Sequence, residues 1–161
     1  KIGKSNVMTK VAGRGSKSIM NEYFGGKQTL TVISRAIGLV EVFVCKQYKH
    51  VGSMITVDNN MNPEATYRVA AADCAYYKAA PFLKSKNLNI KSKVYSTATL
   101  VFSCLFYNAA SVHAYSKISY EKIRCRYYRY VRTAHNACND KDSHITDAEV
   151  IDKYNVYTLE A

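Results

Sequence analysis

No run of apolar residues in this chain reaches the roughly 18 that a membrane-spanning helix needs. The longest approach, Thr97 to Val112, is interrupted by Ser103, Asn108 and Ser111. Acidic residues are scarce: 12 stand against 23 Lys and Arg in 161 residues, giving a net charge of +11. Tryptophan is absent, whereas tyrosine occurs fourteen times. The five cysteines, at 45, 74, 104, 125 and 138, are odd in number and widely spaced, which excludes the dense, even pattern of a small secreted disulfide scaffold. The chain begins at Lys1 without a charged-then-apolar signal segment, as expected of a processed precursor or of a trimmed chain. An apolar content of 48% supplies a core and excludes wholesale disorder. The charge calls for a polyanionic partner: nucleic acid, anionic lipid, an acidic protein or an acidic prosthetic group.

Glycine and charge are unevenly distributed. Residues 1–28 hold five of the seven glycines and six basic residues against Glu22 alone. Lacking sustained apolar periodicity, they read as an extended basic arm before a single domain over 29–161. From Leu30 onward, Leu30, Ile33, Ile37, Val40, Val44 and Tyr48 recur at three-four spacing, which predicts a helix. The β-branched stretch Leu39–Cys45 after Gly38 leaves a strand as the alternative.

Asn62-Pro63-Glu64 marks the start of a second helix, with Pro81 at its stop. The connector over 83–93 carries four lysines. Further helices are predicted over roughly 96–114 and 119–138, the latter starting behind Ser116 or Ser119. Thr146-Asp147-Ala148-Glu149 matches a capping box for a short final helix. The expected fold is therefore all-α, with four main helices and a short C-terminal one behind the arm. Residues 101–133 are basic and 134–161 acidic, so the last helix is expected to pack on the one before it.

Two short signatures recur in the same order. V-F-x-C-x-x-Y occurs at 42–48 and 101–107, and C-x-Y-Y-[K/R] at 74–78 and 125–129. They predict two loosely repeated helical hairpins, 29–82 and 95–138, with a cysteine on each helix. The plain alternative is four small apolar core positions. Zinc needs converging ligands, usually in C-x2-C pairs. The set Cys125, His135, Cys138 and His144 matches no such spacing. A nucleophilic cysteine needs a base, and nothing local selects among His50, His113, His135 and His144. Gly13–Ser18 lacks the spacing and the preceding strand of a phosphate loop. These readings argue against an enzyme.

Nucleic-acid binding is the rival reading. Tyr120–Arg132 interleaves Lys122, Arg124, Arg126, Arg129 and Arg132 with four tyrosines, types that neutralise phosphates and stack on unpaired bases. Such a composition suits a basic helical RNA-binding or ribosome-associated protein.

A cysteine can also carry a cofactor covalently. A thioether-linked linear tetrapyrrole wants an accessible cysteine, a carboxylate for its pyrrole N–H groups, Lys or Arg for its propionates, and aromatic walls. Tyr67–Lys78 holds all these types, with Arg68, Asp73, Cys74 and Tyr76-Tyr77. Here the chain resembles the phycobilisome proteins, although the Arg-Asp that follows the cysteine in phycobiliprotein helices is not kept. The closer likeness is to the gamma subunits of red-algal phycoerythrin, which are basic, bilin-bearing chloroplast rod linkers; it rests on overall character across the chain. The resemblance implies covalently bound bilins of phycoerythrobilin or phycourobilin type on Cys45, Cys74, Cys104 and Cys125, with Cys138 outside the repeat. Asp73 and Arg68 would contact the group at Cys74. It further implies a place inside a ring-shaped hexamer of phycoerythrin alpha and beta subunits, on the stromal side of the chloroplast thylakoid, peripheral to the membrane. Four bilins would bring about eight negative charges and take +11 to about +3.

Overall fold

The computed structural model describes residues 6–27, 29–109, 116–137 and 145–159. The chain divides into two compact units, Lys1–Pro63 and Glu64–Ala161. Of the described residues, 54% are helical and 17% lie in strands, with sheets of three and two strands, so the all-α expectation is wrong. The error lies wholly in the first unit.

That unit opens with β1 (Asn6–Val7) and α1 (Ser16–Glu22), the latter prolonged by a wider π-type turn over Tyr23–Lys27. Four strands follow: β2 (Thr29–Ser34), β3 (Gly38–Val44), β4 (Gln47–His50) and β5 (Ser53–Thr56). β3 lies central, antiparallel to β2 and parallel to β1, while β4 and β5 form a separate hairpin. Residues 30–44 are apolar at so many positions that both a three-four and a two-residue spacing can be traced through them. β-branching decides between the two. Thr29, Thr31, Val32, Ile33, Val40, Val42 and Val44 favour the pleated backbone, and Gly38, at φ 78°, provides the left-handed residue that closes the turn. Leu30, Val40 and Val42 are half-buried and Val44 buried on one face. The β4–β5 turn places Val51 at φ 45° beside Gly52 at φ 84°. A β-branched residue is strained in that region.

The second unit is helical: α2 (Asn62–Leu83), α3 (Ile90–Ser96), a π-type stretch Thr97–Phe102, α4 (Ser103–Leu105), α5 (Lys117–Ala134) and α6 (Asp147–Tyr154). Local signals set most of the starts. Asn89 caps α3 by accepting from Lys91 N–H, Ser116 caps α5 by accepting from Ser119 N–H, and Thr146 and Glu149 form the capping box of α6. Pro81 does not stop α2 but sits in its last turn, where it forfeits one hydrogen bond while Lys84 N–H still reaches Ala80 C=O.

Ala65, Ala72, Tyr76 and Leu83 of α2 face Val101, Leu105 and the α5 row Ile123, Tyr127, Tyr130 and Val131 in one core, closed by Val150. α2 and α5 run in the same direction. Thr66 meets Lys122, Asp73 meets Tyr130 and Tyr76 meets Thr133, offsets of 56, 57 and 57 residues. The α3–α4 segment is the return between them. Lys93, fully buried on α3, donates to Asn136 Oδ1 at 2.7 Å beyond the end of α5. Among the described residues no helix is long and apolar enough to cross a membrane.

The repeat is only half realised. The first signature lies on strands β3–β4 at 42–48 but in the helical stretch at 101–107. The second lies on helices both times, with Cys74 and Cys125 exposed and Tyr76 and Tyr127 buried. Two residues along a helix turn the side chain through roughly 200°, which puts thiol outside and ring inside.

Candidate functional site

α5 presents Ile118, Glu121, Lys122 and Cys125 at helical spacing along one face, with Lys117 and Arg126 beside them. Thr66 and Val69 of α2 form the other wall of an open groove of about 770 Å³. That volume falls within the roughly 300–1,000 Å³ of small-molecule sites. The lining combines a thiol, three cationic side chains, one carboxylate and the aliphatic Val69 and Ile118, with no aromatic wall among the described residues. Lys122 Nζ donates to Thr66 Oγ1 at 3.2 Å across the groove.

Behind the groove, Asp73 ties the helices together. It accepts from Tyr130 Oη at 2.7 Å and pairs with Arg126 Nε at 3.2 Å. Burial, then the hydrogen bond to Asp73, pushes the Tyr130 phenol well above its ordinary range. Burial likewise raises Tyr127, whose hydroxyl donates to Tyr157 C=O at 2.9 Å.

Of the residues singled out in the sequence, the structure brings Cys125 into the groove and places Asp73 against its Arg126 wall. Cys74 is exposed on α2. The helix register sets it level with Tyr130 or Val131, five or six residues beyond Cys125, or roughly 8 Å along the helix axis. Arg68 lies elsewhere, buried against Glu64 at 2.6 Å and over the Tyr107 ring at 4.6 Å. Cys104 is half-buried, with its thiol directed at Leu100 C=O, and Cys45 is half-buried in the first unit, its N–H bonded to Val7 C=O. Cys138, His113 and His144 lie outside the described residues. Among those described, no three His, Cys, Asp or Glu side chains converge as metal ligands. Thr66, Val69, Lys117, Ile118 and Glu121 were not recognised from the sequence. The α5 members could have been found by helical spacing from Cys125, but the α2 members depend on long-range register.

The basic helix is heavily compensated. Arg124 bonds Glu121 and Asp147 at 3.0 and 2.8 Å, and Arg132 bonds the same Asp147 and Ile145 C=O. The acidic final helix thus packs on the basic one, as its charge required. Tyr127, Tyr128 and Tyr130 are core side chains, so the ring faces that would stack on bases are turned inward.

His135, just past α5, stacks on Tyr154 of α6 with centroids 4.2 Å apart, and burial lowers its pKa below the ordinary 6.5. The unfolded chain therefore takes up this proton at a higher pH than the folded one. The contribution of neutral His135 is full above about pH 6.5 and is lost as pH falls through that value toward the lower folded pKa. His135→Phe, which keeps a stacked ring, is expected to be less acid-sensitive. Urea midpoints at neutral and mildly acidic pH check this, and parallel pH responses would refute it.

No family model, curated protein or solved structure matches the chain.

Proposed function

We propose that the chain is a bilin-carrying linker, with Cys125 as its principal attachment point and the α2–α5 groove as the bed of the chromophore. The supporting observation is the groove itself, which sets an exposed thiol among Lys117, Lys122 and Arg126, with Glu121 alongside. A linear tetrapyrrole would lay its apolar conjugated body on the aliphatic Val69 and Ile118, in place of the aromatic walls expected from the sequence. Its two propionates would pair with the cations, and Glu121 would accept from pyrrole N–H groups. Cys125 would hold the group by adding its thiol across a side-chain double bond, which would form the Sγ–C bond and place the thiol proton on the neighbouring carbon. No oxidant or reductant is consumed.

On this reading the partners are phycoerythrin alpha and beta subunits. The positive charge left over docks the chain in an acidic ring, and the bilin absorbs light and passes excitation on. The mass of the chain purified from its source tests the proposal. Acid-urea-denatured protein is expected to absorb visible light and to exceed 18.1 kDa by one or more tetrapyrrole masses. A colourless chain of 18.1 kDa would overturn it. Cys125→Ser is expected to remove one adduct, and an unchanged adduct count would move the site away from this groove.

A further inference from the structure

The β2–β3 hairpin ends in three aliphatic side chains that cover nothing. Ile33, Ile37 and Leu39 are 81%, 77% and 74% exposed. Ile33 and Leu39 are directly paired across the two strands, so they share a face, and Ile37 sits in the intervening turn. Arg35, also exposed, lies in the same turn, whose start is fastened by Ala36 N–H to Ser34 Oγ at 3.3 Å. Gly38 closes the turn, and a Cβ built there would meet nothing within 4 Å. The turn is thus open to solvent at Gly38 as well as at its three aliphatic side chains. The sheet does not need them: Leu30, Val40, Val42 and Val44 already supply its covered face.

We infer that this tip is a membrane-surface contact, which seats Ile33, Ile37 and Leu39 at the headgroup–acyl boundary of an anionic bilayer with Arg35 among the phosphates. Charge points to the occupant. Residues 1–63 carry nine Lys and Arg against three Asp and Glu, and anionic lipid attracts such a segment. Shape points the same way. A tip of three exposed side chains offers far less area than the roughly 1,200–2,000 Å² of a stable protein interface, whereas a bilayer accommodates small apolar insertions. The depth of insertion is set by the sequence. Glu41 lies on the Ile33–Leu39 face, two residues beyond Leu39, or roughly 7 Å along the strand. Its carboxylate stays in water and holds penetration to the 5–10 Å typical of interfacial binding.

Flotation of the full chain with vesicles tests the inference. Binding is expected to phosphatidylcholine–phosphatidylserine vesicles at about four to one, and much less to phosphatidylcholine alone. The combined Ile33→Ser, Ile37→Ser, Leu39→Ser variant is expected to bind about tenfold or more weakly, with unchanged far-ultraviolet circular dichroism. Arg35→Glu, which keeps the aliphatics, is expected to weaken binding about tenfold by charge reversal. Wild-type protein that stays with the unbound fraction would overturn the inference. So would serine variants that bind like wild type, since general basicity would then suffice. Tip variants that change the sedimentation coefficient of the lipid-free protein would replace the bilayer with a second copy of the chain.

Discussion

Glu64→Gln is expected to destabilise the helical unit by about 3–5 kcal/mol, the usual cost of removing one partner of a buried ion pair. Glu64 and Arg68 stand one turn apart at the start of α2, with side chains 1% and 6% exposed and Nε to Oε1 at 2.6 Å. Gln keeps the volume and a hydrogen-bonding oxygen, so the loss reports charge rather than packing. Arg68 would then remain in the interior between Tyr67 and Tyr107, 5.3 and 4.6 Å from their ring centroids, without the Glu64 carboxylate. Cation–π contact returns only about 0.5–2 kcal/mol of that loss. Replacing both partners, Glu64→Leu with Arg68→Met, is expected to fall within about 1 kcal/mol of wild type, because two desolvated charges disappear together. Urea denaturation followed by circular dichroism gives both values, and a single variant no worse than the double would show that the pair is hydrated.

The second large effect belongs to Tyr130. Its side chain is fully buried, with its ring 5.0 Å from Tyr76 and 6.5 Å from Phe102 and its hydroxyl on Asp73. Tyr130→Ala is expected to cost about 3–5 kcal/mol through the cavity it opens. Tyr130→Phe keeps the ring and loses the charge-assisted bond, at about 1.5–3 kcal/mol. The difference between the two variants apportions the α2–α5 contact between packing and the Asp73 bond. If Phe is as stable as wild type, Arg126 alone satisfies Asp73 and the hydroxyl contributes no net stability.

The helical unit was legible where local chemistry is decisive. Ser116 and the Thr146–Glu149 box each set an element start through backbone groups a few residues away, and Asn62-Pro63-Glu64 stands at the start of α2. The strands of the first unit were not legible from periodicity, because almost every position from Leu30 to Val44 can be fitted to either repeat. The β-branched residues and Gly38 held the decisive information. The site was legible only on α5, where Cys125 and its basic neighbours share a helix. Thr66 and Val69 reach it through the long-range register of α2 on α5, in which Thr66 meets Lys122 across 56 residues, and Arg68, near Cys74 in sequence, is drawn to Glu64 instead because a buried guanidinium needs a carboxylate.

The common direction of α2 and α5 also governs how the chain reaches this state. In an antiparallel hairpin the contacts nearest the connecting loop form across a short loop and the rest zip up behind them. Here every α2–α5 pairing waits for the closure of a similarly long segment, so the entropy of that closure precedes any gain from Tyr76, Asp73 or Tyr130. Both helices have local starts, yet neither is stabilised by the other until α3 and α4 have turned the chain back. High contact order thus sets the folding rate of the unit, which is expected to be slower than that of a helical hairpin of equal length.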